Sequence, residues 1–328
     1  MDGRGAADKY GWVSSLTGRT EAARFTSDLS LCPMYQAVLP YPHIDPVLIH
    51  LGPLAIRWYA ISYIVGLLLG WWYLARLLRT NSLWTNPPFD GKPPATVDEI
   101  GDLVVWTTFG VILGGRLGYV LIYGTFFCGI WGTSPACAGL PMGYLLHPLK
   151  IIAAWEGGMS FHGGLVGVVI ALWLFARRRK LDMVKVGDLV ASVVPIGLFF
   201  GRIANFINGE LWGKVTNVPW AMVFPNSPDH LPRHPSQLYE AGMEGLLLFL
   251  IMQISLRLFR LHERPGLLAA IFFTGYGLFR FIAEIFRDSD TVFAGGLSVG
   301  MALSIPMWLA AAFFYWYAFR RPAGGATA

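Results

Sequence analysis

Ten polar side chains stand in, or at the ends of, long apolar runs: Arg57, Tyr59, Arg116, His162, Arg202, Asn205, Glu210, Arg280, Glu284 and Arg287. An ionisable group inside a bilayer costs several kcal/mol and by default marks a functional site. The chemistry that suits these residue types is recognition of an anionic phosphate, because guanidinium forks match its oxygens. An imidazole beside them can move a proton near neutral pH. Simpler readings exist for single members of the set. Arg57 and Arg287 lie near run ends, where snorkelling accounts for them about as well as function does. Arg116 lies two turns inside its run, where snorkelling accounts for it less well. Arg280 and Glu284 are four apart and can neutralise each other on one helix face. His162 is followed by Gly163 and Gly164, which let a backbone or a ligand come close to the ring.

The elements that must carry these groups are transmembrane helices. The chain has 328 residues, 55% apolar and only 14% charged, against about 25% charged in a soluble domain. Seven apolar segments run approximately over 54–78, 100–122, 159–176, 186–203, 238–256, 266–283 and 297–319. Each is long enough to cross a hydrocarbon core of about 30 Å. Lone strands would leave their backbone unpaired in lipid, so the expected class is an all-α polytopic membrane protein of seven helices.

Orientation follows from the basic residues. One set of connections, with the C-terminus, holds thirteen: Arg76, Arg79, Lys92, Arg177, Arg178, Arg179, Lys180, Lys185, Arg257, Arg260, Arg264, Arg320 and Arg321. The opposite connections hold Lys150, Lys214, Arg233 and Arg287. The bias predicts an outside N-terminus and a cytoplasmic C-terminus. All ten polar groups then fall toward the outer end of their helices. The net charge of +5 follows from these flanking residues, which meet anionic headgroups, so no nucleic-acid partner is inferred.

Residues 1–40 are polar and lack the apolar core of a signal peptide. They read as a disordered extension or a start placed too early. The membrane domain is expected over 41–321, with a short tail at 322–328. Two long outer connections, 123–158 and 205–237, are functional candidates by their length. Glycines at small-xxx-small spacing (Gly110, Gly114 and Gly118; Gly163 and Gly167; Gly197 and Gly201) would let the second, third and fourth helices approach closely. Cys128 and Cys137 share one outer loop, which leaves a disulfide and two free thiols both open. No CxxC or HExxH motif appears, and prolines interrupt the segment holding His230 and His234, so no metal is assigned. On residues alone, the chain reads as an enzyme or transporter acting on an anionic phospholipid of the outer leaflet.

Three stretches carry a more specific signal. Gly201-Arg-Ile-Ala-Asn-Phe-Ile-Asn-Gly-Glu-Leu-Trp-Gly213 resembles the signature of the prolipoprotein diacylglyceryl transferase family. Trp155-Glu-Gly-Gly-Met-Ser-Phe-His-Gly-Gly-Leu165 and Arg233-His-Pro-Ser-Gln-Leu-Tyr-Glu240 are similar to the same family. So are Gly115-Arg-Leu-Gly-Tyr119, Arg57-Trp-Tyr59 and Phe279-Arg-Phe-Ile-Ala-Glu-Ile-Phe-Arg287. Order and spacing hold over about residues 41 to 320. Ala204 departs from the pattern, where glycine is common.

The resemblance implies transfer of the diacylglyceryl group of phosphatidylglycerol to the lipobox cysteine of a preprolipoprotein. The product is a thioether, glycerol phosphate leaves, and no cofactor is needed. It implies a bacterial inner membrane with the site facing outward. Arg202 and Arg280 are then the first choices to hold the phosphate, with Arg116 and Arg287 ordering acidic partners. His162 is the leading proton acceptor, and Glu210 and Glu284 orient arginines or assist deprotonation. Tyr59, Asn205 and Gln237 meet the glycerol hydroxyls, and Gly213 and His234 complete the expected substrate-binding set.

Two other classes compete. An anionic-phospholipid transporter would show a repeat and midplane polar groups; no repeat is evident and the polar groups lie off-centre. An intramembrane protease is disfavoured because Gly187-Asp188 lacks the preceding glycine of GxGD and Ser160 does not stand in GxSG.

Overall fold

The structure is a computed structural model that describes residues 39–42, 44–51, 54–122, 144, 151–152, 158–289 and 296–320. Cys128, Cys137, most of the first outer loop, the tail and all but the end of the N-terminal extension lie outside the described residues.

The described chain is helical, but two short antiparallel ribbons amend the all-α expectation. In the first, β1 (Val47–Leu51) pairs with β2 (Leu54–Arg57), with Ile49 opposite Ile56 and His50 opposite Ala55. The apolar run expected to be helical from residue 54 therefore begins as strand. Its first four residues find a partner in the preceding apolar run, and Arg57 keeps extended dihedrals before α1 (Trp58–Leu78) starts. The second ribbon, β3 (Met222–Val223) with β4 (Pro232–Arg233), lies in the long connection over 205–237.

Local signals explain the remaining starts and stops. Thr96 and Glu99 form a reciprocal capping box at the head of α2 (Val97–Gly118), satisfying donors that the first helical turn leaves free. Ser160 accepts from the Gly163 amide to start α3 (Phe161–Arg179), and Lys180 ends it in a left-handed conformation. Asp182 accepts from the Val184 and Lys185 amides and starts α4 (Met183–Ala191).

The segment read as one helix over 186–203 is broken. After α4 the chain bends by 41° into α5 (Val194–Ile207). Pro195 supplies the reason: it has no amide to bond backward and fits only a first helical turn. The gap is stabilised from outside, since Gln253 Nε2 donates to the Ser192 carbonyl at 3.0 Å.

The next span, residues 236–257, comprises α6 (Ser236–Glu240), a π-helical stretch over Ala241–Leu247 and α7 (Leu248–Arg257). Then come α8 (Leu267–Phe286) and α9 (Val299–Arg320). The buried Asp188 accepts from the Gly266 and Ala269 amides at 2.7 and 2.8 Å, so α4 caps α8. Among the described residues, six helical spans are long and apolar enough to cross a membrane, or seven when the bent pair α4–α5 is taken as one span.

Close glycine packing joins α2 to α3. A Cβ on Gly110 would stand 2.6 Å from the Gly167 carbonyl oxygen, and one on Gly118 would stand 2.6 Å from Gly163 Cα. Gly197 serves a different neighbour: it lies against Gly66 of α1, while Gly201 faces open space. The apolar core sits toward the other end of the bundle, around Leu77, Ile100, Phe175, Leu189, Met252 and Leu256.

Candidate active site

Three helical spans bring their charged residues to one place. Arg202 is in the third turn of α5. Glu240 ends α6, and Glu244 lies in the π-helical stretch that follows. Arg280 and Glu284 stand in the last two turns of α8, with Arg287 at its C-cap. Both Glu240 and Glu244 have side chains with no solvent exposure. In lipid-embedded protein such carboxylates require cations, and they have them.

Arg202 Nη1 lies 2.8 Å from Glu240 Oε2, while its Nε and Nη2 donate to Glu244 Oε2 at 3.1 and 2.9 Å. Arg280 Nη1 donates to Glu240 Oε1 at 3.0 Å and lies 3.7 Å from Glu244 Oε1. Its Nη2 donates to Glu284 Oε2 at 2.7 Å. Arg287 Nη1 stands 3.7 Å from Glu240 Oε1, and Ser289 donates to Glu284. The cluster thus holds three cations and three anions. Gly300 of α9 makes room for it, because a Cβ there would meet the Glu284 Cδ at 2.5 Å.

Beside the ionic cluster is a second polar group, of two amides and a phenol around one carboxylate. Asn205, one turn beyond Arg202, donates through Nδ2 to Glu210 Oε1 at 2.8 Å and to the Tyr59 hydroxyl at 3.3 Å. Gln237, fully buried, donates to the Glu210 carbonyl, while its own Oε1 accepts no hydrogen bond. Tyr59, Asn205, Glu210 and Gln237 are therefore joined in one hydrogen-bonded group, with Glu210 on Asn205 rather than on an arginine and a free amide oxygen among them.

Gly213 lies between two chains. Its amide donates to the His234 carbonyl at 2.9 Å, it bridges to Arg287, and a Cβ would meet His234 Cβ and the Phe286 carbonyl oxygen at 2.6 Å. Only glycine fits that approach. Gly213 is thus a backbone junction holding the connection over 205–237 against the end of α8. Arg233, almost fully buried, fastens the same junction: it donates to the Gly213 carbonyl at 3.1 Å and pairs with Asp229 and Asp288. Its hydrogen bond holds the Asp229 carboxyl below the usual range. His234 shares Nδ1 with the Tyr239 hydroxyl at 3.0 Å, which also accepts from Trp220 Nε1 at 2.6 Å. Burial lowers the pKa of the His234 imidazole.

The two α2 and α3 candidates stand apart from the ionic cluster. Arg116 is buried. Its Nε donates to the Ile151 carbonyl at 2.9 Å and its Nη1 to that of Gly158 at 3.1 Å, with the Tyr119 and Tyr144 rings beside it. Those bonds tie α2 to the first outer loop. His162 is exposed in the first turn of α3, its ring edge-on to Phe161 at 5.7 Å.

Glu240, Glu244, Arg233 and Gly300 were absent from the sequence-derived set. The two glutamates were detectable by the rule that found Arg202, since they are acids four apart within an apolar run. Arg233 and Gly300 gave no comparable signal, because their roles depend on partners remote in sequence.

Fold and site together define a polytopic membrane protein built around a buried arginine–glutamate centre at one end of its bundle. The chain belongs to the prolipoprotein diacylglyceryl transferase family, whose model matches residues 46–317. It is 49% identical over 297 residues to the phosphatidylglycerol–prolipoprotein diacylglyceryl transferase of Caulobacter sp. (strain K31), covering 86% of this chain and 94% of that one. It is 51% identical over 277 residues to the enzyme of the same name from Rhodospirillum rubrum, covering 83% and 91%. The counterpart from Methylocella silvestris is 49% identical over 289 residues, covering 87% and 98%.

Proposed function

We propose that this chain transfers the diacylglyceryl group of phosphatidylglycerol to a prolipoprotein, at the thiol of its lipobox cysteine. The observation that carries the reading is the cluster of Arg202, Arg280 and Arg287 on Glu240, Glu244 and Glu284, within a chain of this family. The acceptor thiol loses its proton, and the thiolate attacks the glycerol carbon that bears the phosphate. A C–S bond forms as the C–O bond breaks, and the electron pair leaves on glycerol phosphate.

Arg202 and Arg280 stabilise the departing phosphate, their forks held in place by the buried carboxylates. Tyr59, Asn205 and Gln237 receive the headgroup glycerol, for which the free Gln237 Oε1 is a ready acceptor. Glu210 orients Asn205, and His162 takes the thiol proton. Gly213 and His234 hold the connection over 205–237 against the end of α8, and Arg116 holds Ile151 and Gly158 to α2.

The basic-residue bias supports a C-terminus in the cytoplasm and a site facing the outer leaflet of a bacterial inner membrane. The test is direct: incubate purified protein with phosphatidylglycerol and a lipobox peptide, then measure glycerol phosphate and peptide mass. Equimolar release and a diacylglyceryl mass increase are expected; lipid movement without consumption would refute the reading.

A further inference from the structure

At the end of α2 and α3 away from Arg116 and His162, a groove is lined by both helices. Their glycine contact ends at Gly110, Gly167 and Ala171. One turn further, Trp106 and Phe175 meet with ring centroids 6.1 Å apart, and bulky side chains replace small ones. A cavity of about 660 Å³ opens there, lined by Asp102, Val105, Trp106, Phe175, Arg178 and Arg179. Asp102 and Arg116 are fourteen residues apart on one helix, so the groove lies about 21 Å along α2 from the catalytic end.

The charges around the groove are unequally employed. Arg179 pairs with Asp102, Glu99 is taken by the Thr96 capping box and Asp182 caps α4. Arg177 stands over the Trp173 ring at 5.5 Å. Arg178 lines the groove and has no ion-pair partner among the described residues. A groove with the half-buried Trp106 at its floor, packed on the buried Phe175, an exposed apolar flank at Val105 and an unpaired guanidinium among its lining residues offers contacts to the two halves of a phospholipid. The acyl chain meets the apolar wall and the phosphate meets Arg178.

We propose that this groove binds one anionic phospholipid of the leaflet opposite the active site, as a retained lipid that is not consumed. Anionic headgroups are preferred because the unpaired Arg178 lines the groove, with Arg177 and Lys180 in the same basic run, while the one lining carboxylate, Asp102, is already paired. The inference is independent of the transfer reaction, since it uses neither the ionic cluster nor its substrates.

The test counts lipids on the intact protein by native mass spectrometry. Full-length protein in detergent is equilibrated with dioleoylphosphatidylserine or dioleoylphosphatidylcholine. Lipid bound at the catalytic end is a background common to all variants. Wild type is expected to retain one phosphatidylserine more than phosphatidylcholine. Arg178→Gln should weaken that lipid about tenfold, the scale of one charge-assisted hydrogen bond. Arg76→Gln, a change in a basic residue that lies over Trp72 on α1, should leave it unchanged. Val105→Trp should exclude it by filling the groove. Equal retention by Arg178→Gln and wild type would overturn the proposal, as would an equal loss in Arg76→Gln. Displacement by millimolar inorganic phosphate would also overturn it, by showing a simple anion pocket.

Discussion

Replacing Arg202 by lysine keeps the charge and removes the fork, which makes it the sharpest test of the ionic centre. Arg202 makes three contacts to two carboxylates: one to Glu240 at 2.8 Å and two to Glu244 at 3.1 and 2.9 Å. An ammonium on a shorter stem can serve one of them. If it stays with Glu240, Glu244 keeps only Arg280 at 3.7 Å, with no solvent exposure to compensate. Leaving a buried charge without its partner costs about 3–5 kcal/mol, so Arg202→Lys should be visibly less stable. Loss of a placed donor to the leaving phosphate should lower turnover by about 10²–10³. Glu244→Gln removes the orphaned charge while keeping the shape. The double variant should therefore recover much of the thermal stability of Arg202→Lys and little of its turnover. Stability is read by thermal unfolding in detergent, and turnover by glycerol phosphate release at matched protein abundance. Recovery of both together would refute a direct role for Arg202 and leave it a structural cation. Near wild-type turnover in the single variant would do the same and shift the phosphate to Arg280.

Gly300→Ala should impair turnover about as strongly as Glu284→Gln, because a methyl group there meets the Glu284 carboxylate; steady-state kinetics of the two variants make the comparison. The second outer loop should lose hydrogen-exchange protection in acid in two stages. Burial lowers the His234 pKa, so the unfolded loop binds a proton first, and stability falls from the ordinary imidazole range downward. Asp229 is held low by Arg233, so its contribution is full above the ordinary carboxylate range and is lost below it; His234→Asn and Asp229→Asn should each flatten their own stage. Phosphatidylglycerol should be consumed well ahead of phosphatidylethanolamine in mixed vesicles, and equal consumption would count against headgroup selection. A reporter after Arg321 should read cytoplasmic and one within residues 217–229 external, with the reverse pattern inverting the placement of the site.

How far the molecule could be read from its residues depended on whether a signal was local. The spans were legible because a run of about twenty apolar residues has one sensible structure in lipid. The break between α4 and α5 was partly legible, since Pro195 stands in the middle of an apolar run. The β1–β2 ribbon was not: Leu54, Ala55 and Ile56 suit the start of a helix equally well, and the partner strand decides. Arg202, Arg280 and Glu284 were legible because charge is expensive in a membrane. The Arg280–Glu284 pair was legible too, from its spacing of four; the remaining partners were not, because no spacing says that Glu240 of α6 meets arginines from both α5 and α8.

That hidden pairing changes how the site can work. Three arginines and three glutamates sum to zero, so the cluster cannot attract a phosphate by net charge alone. What remains is donors. A guanidinium carries five N–H groups; Arg202 donates two to Glu244 and meets Glu240 as an ion pair without a hydrogen bond, which leaves three. Its side chain is 16% exposed, whereas its carboxylate partners have no exposure at all, so the solvent-accessible part of each pair belongs to the cation. Arg280, at 14%, repeats the arrangement. The glutamates therefore act as a buried floor that holds both forks and leaves donors uncommitted. Such donors stabilise charge that develops during the reaction more than charge already present, because they need not reorganise when the phosphate leaves. On the proposed function, headgroup binding then rests on the Tyr59, Asn205 and Gln237 group and rate acceleration on the two arginines. Changes in the first set should act mainly on KM and changes in the second mainly on kcat.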